Sequence, residues 1–374
     1  MLFILDDTLI DNLHNPKFSE DTKETIHRIF SAWVCGDHLV MSSEYLLNFF
    51  ISENLIYESD KPHAKRLKNK LSYLEYLQRY QTYINVVGGD NIWNIIENTN
   101  NLKVCISPDI IVNSHITDQT VIIFENIHES NFYSLLLDAI NFDRKNHYKV
   151  SFLPANGGGD TTHEVFTEYQ KRKDRICFCI VDSDKKYPQD TVGSTANKIR
   201  NDYERNLNND KNAVLSKYYV TDFSEIENII PLSVLFEIVQ PNSDQECFMN
   251  WFVKIIKINL QTYFFMDIKK GLSLSHIGKK NDIDNFRFWS QILGITAHDC
   301  MFLSGNECTE SCANCINFTG MGDHVLEMSI EVINKMSPQK RVEASKEITE
   351  LYNYWNMLSD ILIYWTCSTN PRYI

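Results

Sequence analysis

Two apolar runs in the middle of this chain each stop at a carboxylate, and no other feature constrains its fold as much. "TVIIFEN" (120–126) runs into Glu125, and "RICFCIVDSD" (175–184) runs into Asp182 and Asp184. Short continuous apolar runs rich in β-branched residues read as strands buried on both faces. Between and after them, "SNFYSLLLDAINF" (130–142), "THEVFTEYQKRK" (162–173) and "TANKIRNDYERNL" (195–207) repeat apolar residues at helical spacing. Two more strands are expected, in "YKVSFLPANGGGD" (148–160) and "AVLSKYYVTDFSEIEN" (213–228). Strands alternating with helices predict an α/β fold over 118–235, a parallel sheet covered on both faces. Functional groups of such sheets collect beyond the C-terminal ends of the strands. Those ends carry Glu125, the glycine loop 157–160, Asp182 with Asp184, and Glu225 with Glu227.

Carboxylates at i and i+2 of an extended chain point the same way. Side by side they repel, and one keeps its proton unless a cation sits between them. Mg²⁺ resolves the conflict, because it takes carboxylate and phosphate oxygens together and keeps several waters. Glu125, from a neighbouring strand, is then a third ligand or a general base. Gly158 and Gly159 allow the backbone to approach a phosphate closely. Lys185 and Lys186 are candidate phosphate contacts, with plain surface charge as the alternative. Glu225 and Glu227 are candidates for a second metal, against the alternative of a charged loop before Pro231. His163, after "GGGDTT", reads as a surface residue at a helix start rather than a catalyst.

The order of these motifs resembles the Toprim domain, the catalytic module shared by topoisomerases, primases and OLD-type nucleases. "VIIFENIHESNFY" is similar to its first motif, a strand and a glutamate usually followed by glycine. "IVDSD" is similar to its second, a strand ending in Asp-x-Asp, and "SEIENIIP" looks like the Glu-Asn-x-x-Pro end of Toprim proteins in bacterial defence systems. Matched residue by residue, Glu125 takes the glutamate position, and Asp182 and Asp184 take the two aspartates. Asn126 stands where glycine is usual and Glu129 where an aspartate often follows, departures that touch the first loop and not the metal residues. The resemblance implies a Toprim-type parallel sheet and phosphodiester hydrolysis dependent on Mg²⁺ or Mn²⁺ held by Glu125, Asp182 and Asp184. It also implies a DNA or RNA substrate, tRNA included, a role in prokaryotic anti-phage defence, and a partner ATPase that senses infection. Two other classes stay open: another Toprim enzyme such as a primase, and a non-catalytic binding or scaffold subunit. The cysteine cluster follows the Toprim region, where a primase's zinc module would precede it.

Residues 1–117 are expected to form an N-terminal α/β domain, with strands in "MLFIL" and "HLVMS" and a helix in "SEDTKETIHRIFSAWV". "MLFILDDTLIDNL" resembles the opening of a PIN-type nuclease domain, with Asp6 as its first acid. The position where that family places a further acid holds Asn48, with Glu44 four residues earlier, a departure that argues against activity there. An accessory domain that recognises a partner or substrate is the plain alternative. Residues 236–374 read as a mainly helical region, expected to mediate homo-oligomerisation or docking. Within it, Cys300, Cys308, Cys312 and Cys315 are separated by seven, three and two residues. Four thiolates so close suit a structural Zn²⁺, with His298 as a substitute for Cys300; reduced thiols or an iron–sulfur cluster are the alternatives.

The formal charge of −13 disfavours a general nucleic-acid coat but not an acidic site that holds cations. No stretch is long and apolar enough to span a bilayer, and "MLFILDDTLIDN" has no basic start. The expectation is a cytoplasmic protein with no membrane association, its scattered cysteines reduced.

Overall fold

The structure is a computed structural model describing residues 1–70, 82–98, 101–146, 149–172, 175–209, 215–241, 243–279, 282–296, 303 and 317–368. Its first sheet holds β1 (Leu2–Leu5), β2 (Leu39–Ser42), β3 (Thr82–Val86), β4 (Trp93–Asn98) and β5 (Asn101–Ile106), in the order β2-β1-β3-β5-β4. All of its pairs are parallel except β4 with β5. The helix Ser19–Cys35 buries Ile26, Ile29, Phe30 and Trp33, one stripe at helical spacing. It stops at Gly36, whose φ of 83° is a left-handed cap that favours glycine.

The second sheet follows. After β6 (Val121–Phe124), the expected strand of 148–160 divides into β7 (Lys149–Val150) and β8 (Leu153–Asn156). β7 leaves the sheet and pairs antiparallel with Cys367–Ser368. With β9 (Cys177–Val181) and β10 (Ser216–Val220), the order is β10-β9-β6-β8, and every pair is parallel. β6 and β9 are interior and buried throughout. Their alternate residues serve two cores, as the two-residue period of a strand requires. Val121, Ile123, Cys177, Cys179 and Val181 meet Phe166, Ile199 and Tyr203 from the helices Thr162–Arg172 and Ser194–Asn209. Ile122, Phe124, Phe178 and Ile180 face the larger core, which includes Phe132, Leu136, Trp355 and Trp365. The chain is therefore an α/β protein with parallel-rich sheets flanked by helices.

The C-terminal region contains more than helix. "FMNWFVKIIKINLQTYFFMDI" gives two helices, Asp244–Ile258 and Gln261–Phe265, because Asn259 takes an extended φ of −146° and stops the first. Gly271–Ser273 and Asn317–Thr319 form an antiparallel pair. The long helix Thr349–Thr366 packs across the second sheet, with Trp365 stacked on Phe178 at 5.0 Å and Trp355 edge-on to Phe132 at 5.9 Å. Its end also reaches the first sheet: the Met1 amino group donates to the carbonyls of Trp365 (3.3 Å) and Cys367 (2.9 Å). Among the described residues no helix is long and apolar enough to cross a membrane.

Candidate functional site: carboxylates at the ends of β6, β9 and β10

Parallel strands deliver their C-terminal ends to one edge of the sheet, and the carboxylates meet there. Glu125 follows β6, Asp182 follows β9, and Glu225 follows the turn after β10. Glu125 Oε1 accepts the backbone N–H of Asp182 at 3.0 Å, and Asp182 Oδ2 accepts the backbone N–H of Ile226 at 3.2 Å. Three strand ends are thereby tied in series by their own acids.

The two unusual residues of the first loop have a local reason. Asn126 caps the helix Ile127–Asp143, its side chain accepting the His128 N–H, while Glu129 Oε1 accepts the Asn126 N–H at 3.0 Å. This reciprocal cap needs a side-chain acceptor at 126 and a glutamate at 129, so glycine is displaced. It also brings a further acid to the site, because Glu129 is buried beside Glu125.

Asp184 differs from the extended arrangement expected of an Asp-x-Asp pair. Its φ is +53°, in the left-handed region that aspartate tolerates better than most residues. The intervening Ser183 is fully buried, its hydroxyl donating to the Phe223 carbonyl at 2.6 Å. The Asp184 N–H donates to the Ser224 carbonyl at 3.0 Å, and the side chain rests against Gly193. The pair therefore diverges: Asp182 turns toward Ile226, and Asp184 lines a cavity of about 380 Å³ together with Glu225, Lys186, Lys270 and Trp289.

The glycine loop does not present free donors. Gly158 and Gly159 both give their N–H groups to the Glu125 carbonyl at 3.1 Å, with φ values of 75° and 63°. Their observed work is to fix the backbone of Glu125 rather than to cradle a phosphate. Lys186 is paired with Asp282 at 2.8 Å, and Lys185 donates its N–H to Ser183 Oγ at 3.4 Å. His163, at the start of the helix Thr162–Arg172, pairs with Asp202 and not with the acids.

Glu225 and Glu227 face a residue that no motif singles out. Lys269 Nζ lies 3.1 Å from Glu225 Oε2 and 3.4 Å from Glu227 Oε1. It comes from a short connection after the helix Gln261–Phe265, in a stretch whose apolar run signals only core. Asn228, fully buried, joins the two segments: it accepts the Glu225 N–H and donates to the carbonyls of Tyr263 and Met266.

Burial and mutual repulsion set the charge state. Burial, then the charges of Asp184 and Glu225, push the Glu125 carboxyl up to about 7, against the Asp182 N–H that favours its anion. Burial and the neighbouring Glu129 and Glu125 hold Asp182 well above the usual carboxylate range, and Glu129 is raised in the same way. Glu225 is pushed up to about 7 by burial, with Lys269 opposing; burial also raises Glu227, and partial loss of water raises the more exposed Asp184, with Lys269 and Lys270 opposing. For Lys269, burial opposes the charge, but Glu227 and Glu225 outweigh it and strengthen its hold on its proton.

All of these side chains offer hard oxygen donors, the set that suits Mg²⁺ or Mn²⁺. The buried Glu227 Oε2 has no hydrogen-bond partner. As arranged, among the described residues, no three His, Cys, Asp or Glu side chains form a ready ligand set, because Glu125 and Asp182 are turned onto backbone N–H groups. Fit to a divalent ion therefore rests on the donor chemistry of the cluster.

The other sequence candidates lie elsewhere. Asp6 follows β1 and accepts from Thr8, while Glu44 and Asn48 both engage Lys68 on the helix surface. Cys300, Cys308, Cys312, Cys315 and His298 lie outside the described residues. Compared with family models, curated proteins and solved structures, the chain matches none of them.

Proposed function

We propose that the chain is a metal-dependent endonuclease of the Toprim kind. The observation that carries this reading is the gathering of Glu125, Asp182 and Glu225 at the C-terminal edge of one parallel sheet, close enough that their charges raise one another's hold on a proton. Glu125, Asp182 and Asp184 would hold Mg²⁺ or Mn²⁺, which supplies a polarised phosphate and an acidified water. Glu125 serves as a third ligand or, instead of that, as the general base that takes the proton of the attacking water. The cavity of about 380 Å³ beside Asp184 and Glu225 gives a phosphate group space to approach these two acids. DNA and RNA, tRNA included, are both candidate substrates, and anti-phage defence with an ATPase partner is the biological setting we propose.

The test is incubation of the purified full chain with plasmid and with total tRNA, in Mg²⁺ or Mn²⁺, beside Glu125→Ala and Asp182→Ala. The intact chain is expected to cleave and both variants to lose at least about a hundredfold in rate. Cleavage that survives both substitutions would remove the site assignment. A second reading, a scaffold that uses the fold without chemistry, draws on the way Lys269 already satisfies two of the acids. Absence of cleavage in every condition, ATPase present or not, would favour it.

A further inference from the structure

Glu225 and Glu227 hold the chain's own cation where a second metal ion would be expected. Their side chains are 18% and 4% exposed, and that of Lys269 is 27% exposed. An exposed lysine pair is weak and exchanges its partner readily, but a buried one is hard to break without stranding a charge. The Lys269 backbone is also fixed. Its carbonyl accepts the Gly322 N–H at 2.9 Å, and the Ile268 carbonyl accepts the Met321 N–H at 2.8 Å. Asn228 ties the Glu225 turn to the Met266 carbonyl, three residues before Lys269.

We propose that Lys269 is a built-in cation that fills the place between Glu225 and Glu227, so that these two glutamates take no divalent ion while it is there and the chain loads at most the single ion of the proposed function. This rests on the metal-dependent reading above and deepens it. A two-ion site clamps both the attacking and the leaving oxygen of a displacement. Here the ammonium already stands between the two glutamates, independent of the concentration of free metal.

The experiment counts Mn²⁺ ions on the full-length chain by titration calorimetry and electron paramagnetic resonance, with no substrate and no cleavage required. The expected result is one Mn²⁺ on the unmodified chain, one on Lys269→Arg, and a second on Lys269→Met, where the freed glutamates become ligands. Should Lys269→Met fold poorly, Glu225→Gln/Glu227→Gln is the companion: it is expected to keep the single Mn²⁺ within about threefold of the original affinity. Two ions on the unmodified chain, no second ion on a folded Lys269→Met, or loss of the ion from the double glutamine variant would each overturn the proposal. Absence of Mn²⁺ from the unmodified chain would remove the metal-dependent reading itself, and so is distinguishable from failure of this inference alone.

Discussion

Glu125 and Asp182 are joined by a hydrogen bond of 3.0 Å from the backbone of one to the side chain of the other. The bond fixes the partly buried glutamate between the ends of β6 and β9. Burial raises the Glu125 carboxyl from 4.5 to about 7, so the folded chain binds its proton more tightly than the unfolded chain does. The stabilising contribution is present in full below about pH 4.5 and is lost as pH rises through about 7. Glutamine keeps the acceptor and has no proton to lose. Without metal, the intact chain is therefore expected to lose on the order of 2 kcal/mol more stability than Glu125→Gln between pH 5 and pH 8. Thermal unfolding of both chains at the two pH values checks this, and parallel curves would refute it.

Gly193 gives a second handle on the site. A Cβ there would fall 2.2 Å from Asp184 Oδ2 and 2.6 Å from Asp184 Cβ. Asp184 has little freedom to withdraw, because its left-handed backbone and its bond to Ser224 hold it. Gly193→Ala is expected to cost about 1–3 kcal/mol by overpacking and to lower cleavage at least tenfold. Asp184→Asn on the glycine background separates the effects: it should lower cleavage with little change in melting temperature.

Much of the second sheet was legible because β6 and β9 are buried on both faces. Such strands must be apolar throughout, and an acid at their end stands out. The gathering of Glu125, Asp182, Glu225 and Glu227 followed from that logic. Three things were not legible. Asp184 leaves the extended direction through a left-handed turn, which no periodicity records. The glycine loop spends its donors on the Glu125 carbonyl, a tertiary choice. Lys269 follows an apolar run that signals only core, and only the fold around Asn228 brings it to the glutamates.

The cysteine cluster makes an independent prediction. Four thiols, with Cys312 and Cys315 in C-x-x-C spacing, have the donor chemistry that a closed structural zinc site uses. Purified chain is expected to carry about one zinc, as measured by elemental analysis, and Cys312→Ser/Cys315→Ser to lose it. Unmodified chain free of zinc would end the assignment.

Trp355 and Asn228 hold the same turn in different ways, and their variants should part company. Trp355 is 1% exposed and donates its indole N–H to the Ile229 carbonyl at 2.9 Å, from the helix that covers the sheet. Trp355→Phe keeps most of the ring and leaves one buried carbonyl unpaired, a loss of about 1–3 kcal/mol. The Glu225 turn keeps its tie to the Lys269 segment through Asn228, so Mn²⁺ binding and cleavage per folded molecule should stay within about twofold. Asn228→Ala removes an acceptor for Glu225 and two donors to Tyr263 and Met266 at once. It should cost about 2–4 kcal/mol and also uncouple the glutamates from Lys269, lowering cleavage at least tenfold. Melting temperatures and single-turnover rates measured on both variants would show the split. Equal loss of activity in the two would mean that the turn responds to stability alone, and that the Asn228 link carries no information to the site.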